Sequence, residues 1–301
     1  MPELPEVEVL ARHLRPLLRG KTIRGVTVHR AKVIRPDTIR SLERQLIGAR
    51  FIGVERRAKF LVFKLTRLMG NLRTAGKRGR LSPPARSQKA FVLLGHLGMT
   101  GRMYLQPARA PLPRHVAVSL ELGRWRFVYE DTRYFGRLTT DTSQLATLGP
   151  EPLSADFTVD DFALALRRSA QAIKVKLLDQ SLVAGIGNIY ASEALFRAAI
   201  SPRKAARRLI PAQVRTLHRH VRELLREAIA CGSTIPLDFA GAGGRDGLFY
   251  YGAVEGSSRF YQERLRVYDR QGQPCVRCGE SIRRIVQAAR STYFCPGCQR
   301  G

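Results

Sequence analysis

The 301-residue sequence lacks long apolar runs, is short of acidic residues and contains only five cysteines. Its apolar stretches, such as residues 91–94, are interrupted within a few positions, whereas a helix needs about 20 apolar residues to cross a bilayer. This pattern excludes membrane insertion. The opening MPELPE is acidic and contains proline, where a secretory signal would be basic and then apolar. We therefore expect a cytoplasmic protein that is not inserted in a membrane.

The shortage of acidic residues leaves a large positive charge. The chain has 52 Lys and Arg against 24 Asp and Glu, a formal net charge of +28. Hydrophobic residues make up 44%, enough to bury a core, and the length allows about two domains. Acidic proteins and anionic surfaces stay open as partners. Positive charge spread through a folded chain is nevertheless most typical of nucleic-acid binding.

Periodicity divides the chain near residue 150, where Gly-Pro-Glu-Pro interrupts it. Apolar residues at three- and four-residue spacing predict a helix over 3–18. Short β-rich runs separated by Gly and Pro then predict an antiparallel sandwich or barrel. Beyond the boundary, residues 158–168 and 211–231 are predicted helices, with Pro211 in a first turn and Gly232 at the end. The predicted strands are 23–29, 50–55, 60–65, 91–95, 117–122 and 125–129.

Two segments have no periodic apolar face. Residues 70–89 are rich in Arg, Lys, Gly, Ser and Pro, which predicts a mobile basic insertion. Residues 238–260 mix Gly, aromatic and charged residues, which predicts a long loop that becomes ordered around a ligand.

Four of the five cysteines form a C-x2-C-x16-C-x2-C pattern near the end of the chain. Two such thiolate pairs are typical of a zinc ribbon, and two predicted strands, at 282–287 and 291–294, lie between the pairs. Four thiolates leave no open coordination position, so we predict one structural zinc ion and no catalytic metal. Cys231 lies outside the pattern and is interpreted as an apolar residue. The predicted ligands are Cys275, Cys278, Cys295 and Cys298.

The N-terminal residues suggest covalent chemistry. If Met1 is removed, Pro2 offers a secondary amine that is less basic than lysine and able to form an iminium with a sugar carbon. Glu3 stands beside it as a proton shuttle, and Glu6 lies one helical turn further on. The alternative is that the proline and the acids only start a helix and complement its dipole. The segment alone does not separate the two.

Two further features suit phosphate. Gly185-Ile186-Gly187-Asn188 precedes a helical stretch, and backbone amides at a helix start bind phosphate, although packing also explains many Gly-x-Gly turns. Basic residues surround the ribbon and are suited to binding the phosphate backbone of a nucleic acid. The alternative interpretation for each of them is an ordinary solvated surface residue. They are Arg277, Arg283, Arg284, Arg290 and Arg300.

Five motifs in this order resemble the bacterial formamidopyrimidine-DNA glycosylase (Fpg) family. They are MPELPEVE at 1–8, GHLGMTG at 95–101, DTRYFG at 131–136, GIGNIYASE at 185–193, and the four-cysteine ribbon ending in CQR. The resemblance implies an α+β multidomain fold: an N-terminal helix with an antiparallel β-sandwich, a helical helix-two-turn-helix domain and a C-terminal zinc ribbon. We place these domains at 1–149, 150–260 and 261–301.

The resemblance also implies an activity: a bifunctional glycosylase and AP lyase that removes oxidised purines, 8-oxoguanine and formamidopyrimidines, from double-stranded DNA. A base must leave the stack before its glycosidic carbon can react. Pro2 is then the nucleophile, Glu3 the acid that assists sugar opening, and Lys59 a phosphate-binding or proton-donating lysine. Loss of the base is followed by β,δ-elimination. The family implies a monomer in the bacterial cytoplasm, associated with the nucleoid through DNA.

Matched motif positions imply the DNA contacts. Met99, Arg133 and Phe135 match side chains that fill the space left by the flipped nucleotide, with Arg133 reading the orphaned cytosine. Core packing is the alternative for Met99 and Phe135, a structural histidine for His96, and an exposed strand-end lysine for Lys59. The matched phosphate contacts are His96, Asn188, Arg290 and, more weakly, Lys174.

Two other functions stay open. Endonuclease VIII-like enzymes remove oxidised pyrimidines with the same nucleophile, but Leu4 and the Met99, Arg133, Phe135 set favour the purine branch. A non-catalytic zinc-ribbon DNA-binding protein is the second alternative, and an intact Pro2-Glu3 pair argues against it. The sequence departs from the family pattern in the 70–89 insertion, for which we favour nonspecific DNA contact over exposure to solvent, in the long 238–260 loop, and at Thr132, where proline is common.

Overall fold

The computed structural model describes residues 2–68, 88–232 and 264–300. Most of the predicted 70–89 insertion and all of the 238–260 loop lie outside the described residues, as does Met1. The predictions made for these segments stay predictions.

The chain divides into two compact units. We call the first, which contains Ala11–Arg56 and Phe60–Thr142, the sheet unit. The second, the helical unit, contains Ser143–Gly301 together with Pro2–Leu10 and Arg57–Lys59. The predicted nucleophile, acid and lysine therefore all belong to the helical unit, although they come from the first 59 residues of the chain.

The sheet unit contains two four-stranded antiparallel sheets, in the orders β1-β6-β7-β5 and β2-β3-β4-β8. Phe63 of β3 and Phe127 of β7 meet edge to face with ring centroids 5.5 Å apart, so side chains of both sheets share one core. The predicted β-sandwich is confirmed. The strands are β1 Gly25–Val28, β2 Arg50–Arg57, β3 Phe60–Leu68, β4 Gln88–His96, β5 Gly101–Pro107, β6 Val116–Glu121, β7 Trp125–Asp131 and β8 Arg137–Thr139.

Helix α1 spans Leu4–Leu18, as its apolar spacing predicted, and its apolar stripe is fully buried. Two strands and one α-helix of the sheet unit were not predicted, and neither was the short helix at Ile173–Leu177 in the helical unit. Strand β5 starts directly after a glycine turn, β8 has only three residues, and helix α2, Ile39–Leu46, is a short polar segment. The α2 helix starts where the Thr38 hydroxyl accepts the Ser41 N–H at 3.2 Å.

The helical unit contains α3 Val159–Arg167, α4 Ile173–Leu177, α5 Asn188–Arg197 and α6 Pro211–Ala230. Both predicted helices are confirmed, with Pro211 in the first turn of α6 and Gly232, at φ +81°, just past its end. The apolar stripe of α6 packs with α3, α5 and Leu4 in one buried cluster. Among the described residues, no helix is both long enough and apolar enough to cross a membrane.

The predicted ribbon strands are confirmed as β9 Arg283–Gln287 and β10 Arg290–Phe294. A two-residue turn joins them, with Ala288 at φ +47° and Ala289 at φ +57°. The ribbon shares a small core with the end of α5, made of Phe196, Val267, Cys275, Ile282 and Cys295.

Two charged side chains attach the ribbon to α5. The Arg277 guanidinium donates to the carbonyl oxygens of Phe196 and Arg197 at 2.9 and 3.2 Å and lies 4.5 Å from the Phe196 ring centroid. This exposed side chain therefore binds the carboxyl end of α5, a favourable place for a cation. The buried Glu193 carboxylate accepts main-chain N–H groups of residues 266–268 at 2.8 to 3.0 Å.

Candidate active site

The backbone around Pro2 and Glu3 is held by a buried acid. The Glu3 N–H donates to Glu6 Oε2 at 2.7 Å, and the Tyr190 hydroxyl donates to Glu6 Oε1 at 2.7 Å. Glu6 is fully buried and Pro2 is buried as well. An acid three residues into a helix that accepts the capping residue's N–H is half of a capping box. Glu6 thus orients the Pro2–Glu3 peptide, a role that its position alone did not indicate.

The Glu3 side chain lies at the amino end of α5. Its Oε1 accepts the Ile189 N–H at 2.9 Å and its Oε2 the Tyr190 N–H at 3.4 Å. The start of a helix attracts anions because its first N–H groups have no partner within the helix. The sequence suggested phosphate for these amides, but the group that accepts their hydrogen bonds is the protein's own Glu3 carboxyl group.

Two glycines make room for this contact. A Cβ at Gly187 would lie 2.3 Å from Glu3 Cδ, and one at Gly185 would lie 2.7 Å from Leu4 Cδ1. Gly185 also has φ +92° and accepts the Leu4 N–H through its carbonyl at 3.0 Å. The Gly-x-Gly spacing is therefore required by the close approach of residues 3 and 4.

Lys59 lies in the two-residue turn between β2 and β3. The preceding Ala58 has φ +52°, and its N–H donates to Glu151 Oε1 at 2.6 Å. Arg57 Nη1 donates to the same oxygen at 3.0 Å, and its Nη2 donates to the Gly149 carbonyl at 2.6 Å. Glu151 thus fixes the turn that carries Lys59. Sequence reasoning missed it because Gly-Pro-Glu-Pro was interpreted only as a domain boundary.

Burial shifts the pKa values of Glu3 and Lys59. Glu3 is 2% exposed and Lys59 8%. Desolvation raises the pKa of Glu3, an effect that Lys59 opposes and Glu6 reinforces. Desolvation also lowers the pKa of Lys59, with Glu3 opposing and Arg290 reinforcing the shift. Burial thus moves both pKa values from their ordinary ranges towards neutral pH, the direction that favours acid–base catalysis.

Three of the predicted phosphate-binding residues lie around the same site. The Lys174 amine donates to Asn188 Oδ1 at 2.5 Å, and Asn188 Nδ2 donates to the Ser291 carbonyl on β10 at 2.8 Å. Lys174 is fully buried. Burial and the nearby Arg290 charge lower the pKa of Lys174 to about 8. The structure therefore links Asn188 to the ribbon and places Lys174 beneath it.

A second set of predicted residues lies in the sheet unit, on the loops at 96–101 and 131–136. A Cβ at Gly98 would lie 2.5 Å from the Gly136 nitrogen, and one at Gly136 would lie 2.1 Å from Tyr129 Oη. Gly98 also has φ +59°. These glycines let the two loops pack against each other without side chains between them.

Buried Asp131 organises both loops. Its Oδ1 accepts the Thr100 hydroxyl at 2.6 Å and the Arg133 N–H at 3.1 Å, and its Oδ2 accepts the Gly136 N–H at 2.8 Å. A carboxylate that receives this many hydrogen bonds fixes the loop backbone. The aspartate of the DTRYFG motif is therefore a positioning residue.

The loops present Met99, Arg133 and Phe135 at the surface. Met99 is 45% and Phe135 51% exposed, so core packing does not explain them. The Arg133 guanidinium lies 5.0 Å from the Phe135 ring centroid. His96 Nδ1 accepts the Gly98 N–H at 3.1 Å. The half-buried imidazole lies 4.9 Å from the Phe60 ring.

The four predicted cysteine ligands come together. All four sulfur atoms lie within 4.8 Å of one another, with individual Sγ–Sγ distances of 3.4, 3.5 and 3.8 Å. Zinc–thiolate bonds of about 2.3 Å in a tetrahedron require sulfur atoms about 3.8 Å apart. Main-chain N–H groups of Arg277 and Cys298 also point at Cys275 and Cys295 sulfurs. The residues present therefore fit one structural zinc ion.

A β-sandwich, a helical unit and a four-cysteine ribbon together define a multidomain α+β protein with a structural zinc site. Family models match nearly the whole chain. The formamidopyrimidine-DNA glycosylase N-terminal domain matches residues 1–138, its H2TH domain residues 148–238, and the zinc finger found in FPG and IleRS residues 272–301.

Known proteins agree with these matches. The formamidopyrimidine-DNA glycosylases of Thermus thermophilus and Dechloromonas aromatica are each 39% identical over 99% of this chain, and cover 98% and 100% of their own lengths. A structure of MutM in complex with DNA containing carbocyclic 8-oxo-G aligns over 100% of both chains, with a TM-score of 0.80 and 32% identity. The structure of the Lactococcus lactis Fpg in complex with abasic-site DNA aligns over 99% of this chain and 100% of its own. Its TM-score is 0.81 and its sequence identity is 30%. The chain belongs to the formamidopyrimidine-DNA glycosylase family.

Proposed function

We propose that this protein is a base-excision-repair DNA glycosylase and AP lyase that removes oxidised purines from duplex DNA. The observation that carries the proposal is the buried Glu3–Lys59 pair beside Pro2, with Glu3 bound at the start of α5. A carboxyl group with a raised pKa and an amine with a lowered pKa are suited to proton transfer in a water-poor site. The similar MutM and Fpg structures, solved with 8-oxo-G and abasic-site DNA, support DNA as the substrate.

The reaction begins once Met1 is removed and Pro2 carries the terminal amine. The amine lone pair forms a bond to C1′ of a flipped nucleotide, and the glycosidic bond breaks with its electron pair going to the base. Glu3 donates a proton to the sugar ring oxygen as the ring opens, which leaves an iminium at C1′. Lys59 binds the adjacent phosphate or supplies a proton to the departing base.

Later steps use the same groups. The iminium makes the C2′ protons acidic, so loss of one expels the 3′ phosphate, and a second elimination expels the 5′ phosphate. Glu3 moves the protons in these steps. The half-capping box made by Glu6 keeps Pro2 in place throughout.

The exposed residues of the sheet unit fit the DNA-contact role. Met99 and Phe135 offer apolar surface to a duplex that has lost one stacked base, and Arg133 offers donors to the edge of the unpaired cytosine. His96, Asn188 and Arg290 are proposed to bind phosphates around the extruded nucleotide. Lys174, buried beneath Asn188, supports them through its hydrogen bond to that side chain.

The zinc ion stabilises the fold of the ribbon and takes no part in the reaction, because thiolates fill all four of its coordination positions. It fixes the ribbon from which Arg290 projects and to whose Ser291 carbonyl Asn188 is bonded. The proposed working form is a monomer in the bacterial cytoplasm that associates with the nucleoid through DNA.

Borohydride trapping tests the proposal. The native protein is mixed with an 8-oxoguanine:cytosine duplex under borohydride, which reduces an iminium to a stable adduct. We expect an adduct that maps to Pro2, none with Pro2→Gly, and far less with Glu3→Gln. Glu55→Gln, an exposed acid of the sheet unit, is the matched control and should trap like the native protein.

Two outcomes would overturn the assignment. Lesion binding without any adduct would indicate a non-catalytic DNA-binding protein. Faster excision from a thymine glycol:adenine duplex than from 8-oxoguanine:cytosine would indicate the oxidised-pyrimidine branch instead. Intact mass of the native protein shows directly whether Met1 is absent.

A further inference from the structure

A basic concavity of about 510 Å³ lies in the helical unit, between the segment that follows α5 and the end of the zinc ribbon. None of its residues takes part in the site described above. Four cationic side chains line it, together with Phe294 and the buried Gln299: Arg203, Lys204, Arg208 and Arg300.

Within the described part of the chain, no acidic side chain compensates the charge of this concavity. No carboxylate lines it, and among residues 2–68, 88–232 and 264–300 none of its four cations forms an ion pair. By contrast, Arg197, on α5 itself, pairs with Glu227 at 2.8 Å. Four like charges that face one concave surface repel each other, and an anion bound there relieves that repulsion.

Hydrogen bonds and a cation–π contact join the surface that holds these cations to the ribbon. The side chain of Gln299, 2% exposed, accepts the Cys295 N–H and donates to the Ile200 carbonyl, both at 2.9 Å. The Arg203 guanidinium lies 5.4 Å from the Phe294 ring centroid. The segment 201–208 is therefore joined to the ribbon before any ligand binds, so little ordering is needed on binding.

The concavity adjoins the proposed DNA-contact residues of the same unit. The Ile173 N–H, one residue before Lys174, donates to the Lys204 carbonyl at 2.8 Å. Gln287 Nε2, three residues before Arg290, donates to the Pro202 carbonyl at 3.3 Å. The basic segment is thus hydrogen-bonded both to the helix that carries Lys174 and to the hairpin that carries Arg290.

We propose that this concavity is an additional phosphate-binding site, which takes a backbone phosphate of duplex DNA beyond the nucleotides held at the lesion. Arginine side chains bind phosphate oxygens through paired N–H donors, and an interaction of this kind carries no base specificity. The site extends the length of duplex that the protein holds. This inference rests on the proposed function, because it assumes that duplex DNA lies on this surface.

The test is the salt dependence of DNA affinity in a double variant, Arg203→Gln with Arg208→Gln. Both side chains are exposed, so the fold should be unaffected, and thermal unfolding checks this. The matched control is Arg219→Gln with Arg226→Gln, which removes two charges from the exposed surface of α6. The probe is a duplex containing an abasic-site analogue, in a long form and in a short form trimmed close to the lesion.

The slope of log affinity against log salt should shrink by about 0.9 for each phosphate that the variant no longer neutralises. We expect this decrease for the Arg203/Arg208 variant on the long duplex only, with the control variant retaining the native slope. Equal slopes for the variant and the native protein on the long duplex would overturn the proposal. So would an equal decrease on the short duplex, because the phosphate would then belong to the lesion site.

A free phosphate-containing anion is the alternative ligand for this concavity. Inorganic pyrophosphate is titrated into the native protein and the double variant, with thermal unfolding as the readout. Tight pyrophosphate binding that the substitutions abolish, with unchanged DNA slopes, would assign the concavity to a small anion and overturn the DNA proposal. Borohydride trapping by the native protein separates this failure from failure of the proposed function, since trapping does not depend on Arg203 or Arg208.

Discussion

The carboxyl group of Glu3 occupies the space where a side chain at Gly187 would begin. A Cβ at Gly187 would lie 2.3 Å from Glu3 Cδ and 2.5 Å from Oε1. The proposed acid and the start of α5 are therefore in direct contact, although 184 positions separate them in the chain. Any side chain at 187 must displace the Glu3 carboxyl group or shift α5.

Gly187→Ala should therefore reduce the rate of base excision by about 100-fold, the usual effect of misplacing a catalytic group by about 1 Å. Single-turnover excision from an 8-oxoguanine:cytosine duplex measures this. Gly53→Ala in β2 is the matched control, because a Cβ there meets nothing within 4 Å. A native rate in Gly187→Ala would contradict the positioning argument.

The raised pKa of Glu3 predicts a pH-dependent effect on stability. Below pH 4.5 the group is protonated in both the folded and unfolded states. As the pH rises towards its higher folded-state pKa, only the unfolded state releases the proton, so the folded protein loses stability by up to about 1.4 kcal/mol per pH unit. The Glu3→Gln variant has no titratable group at this position, so it does not lose stability in this way.

The free energy of unfolding of Glu3→Gln should therefore exceed that of the native protein by a margin that grows from pH 5 upwards and levels off above the folded-state pKa. Urea unfolding at pH 5, 6, 7 and 8 measures the margin, and titrating groups that do not interact with Glu3 cancel in the difference. The same variant should be nearly inactive. A margin that stays constant across this range would refute the assignment.

Zinc removal should unfold the ribbon locally. Its core contains only five buried residues, two of which are the zinc ligands Cys275 and Cys295, so the metal supplies much of its stability. We expect one zinc ion per chain, released by a chelator, and loss of tight DNA binding because Arg290 and the Asn188 hydrogen bond depend on the hairpin.

The larger core of the helical unit contains no zinc ligand, so its thermal transition should persist after chelation. Cys298→Ser should reproduce the effect of chelation, and Cys231→Ser, outside the zinc site, serves as the control. Native DNA affinity in protein shown by metal analysis to lack zinc would contradict this prediction.

Substitutions in the turn between β9 and β10 should stabilise the ribbon. Ala288 and Ala289 both have positive φ, a conformation that costs a non-glycine residue about 1 kcal/mol and that Asn-Gly adopts readily in two-residue hairpins. Ala288→Asn with Ala289→Gly should therefore stabilise the ribbon by about 1 to 2 kcal/mol. Resistance to zinc release by a chelator is the measurement.

The control for this substitution is Ala198→Gly, where φ is −79°, and glycine should there destabilise the protein slightly. Both variants should keep native trapping activity, because neither position contacts Glu3 or Lys59. Faster zinc release from the Asn-Gly variant would show that the strain in this turn is not relieved by the substitution.

Local patterns were sufficient for much of the fold. The apolar stripes of α1 and α6, the β-rich runs of six strands, and the four-cysteine spacing each depend on neighbours within about 25 residues. The family resemblance, carried by five short motifs, added the order of the domains. Short elements such as β8 and α2 were missed because tertiary packing, and not local propensity, stabilises them.

The candidate residues were named from the sequence, but their arrangement was not. Pro2, Glu3, Lys59 and the four cysteines are chemistry-bearing residue types in recognisable motifs, so the sequence by itself determined which groups are available. Only the tertiary structure brings Glu3 to the start of α5, puts Glu151 under the Lys59 turn and buries Lys174 beneath Asn188. These contacts join residues distant in the chain, and the burial that shifts the pKa values of Glu3 and Lys59 exists only after the chain has folded.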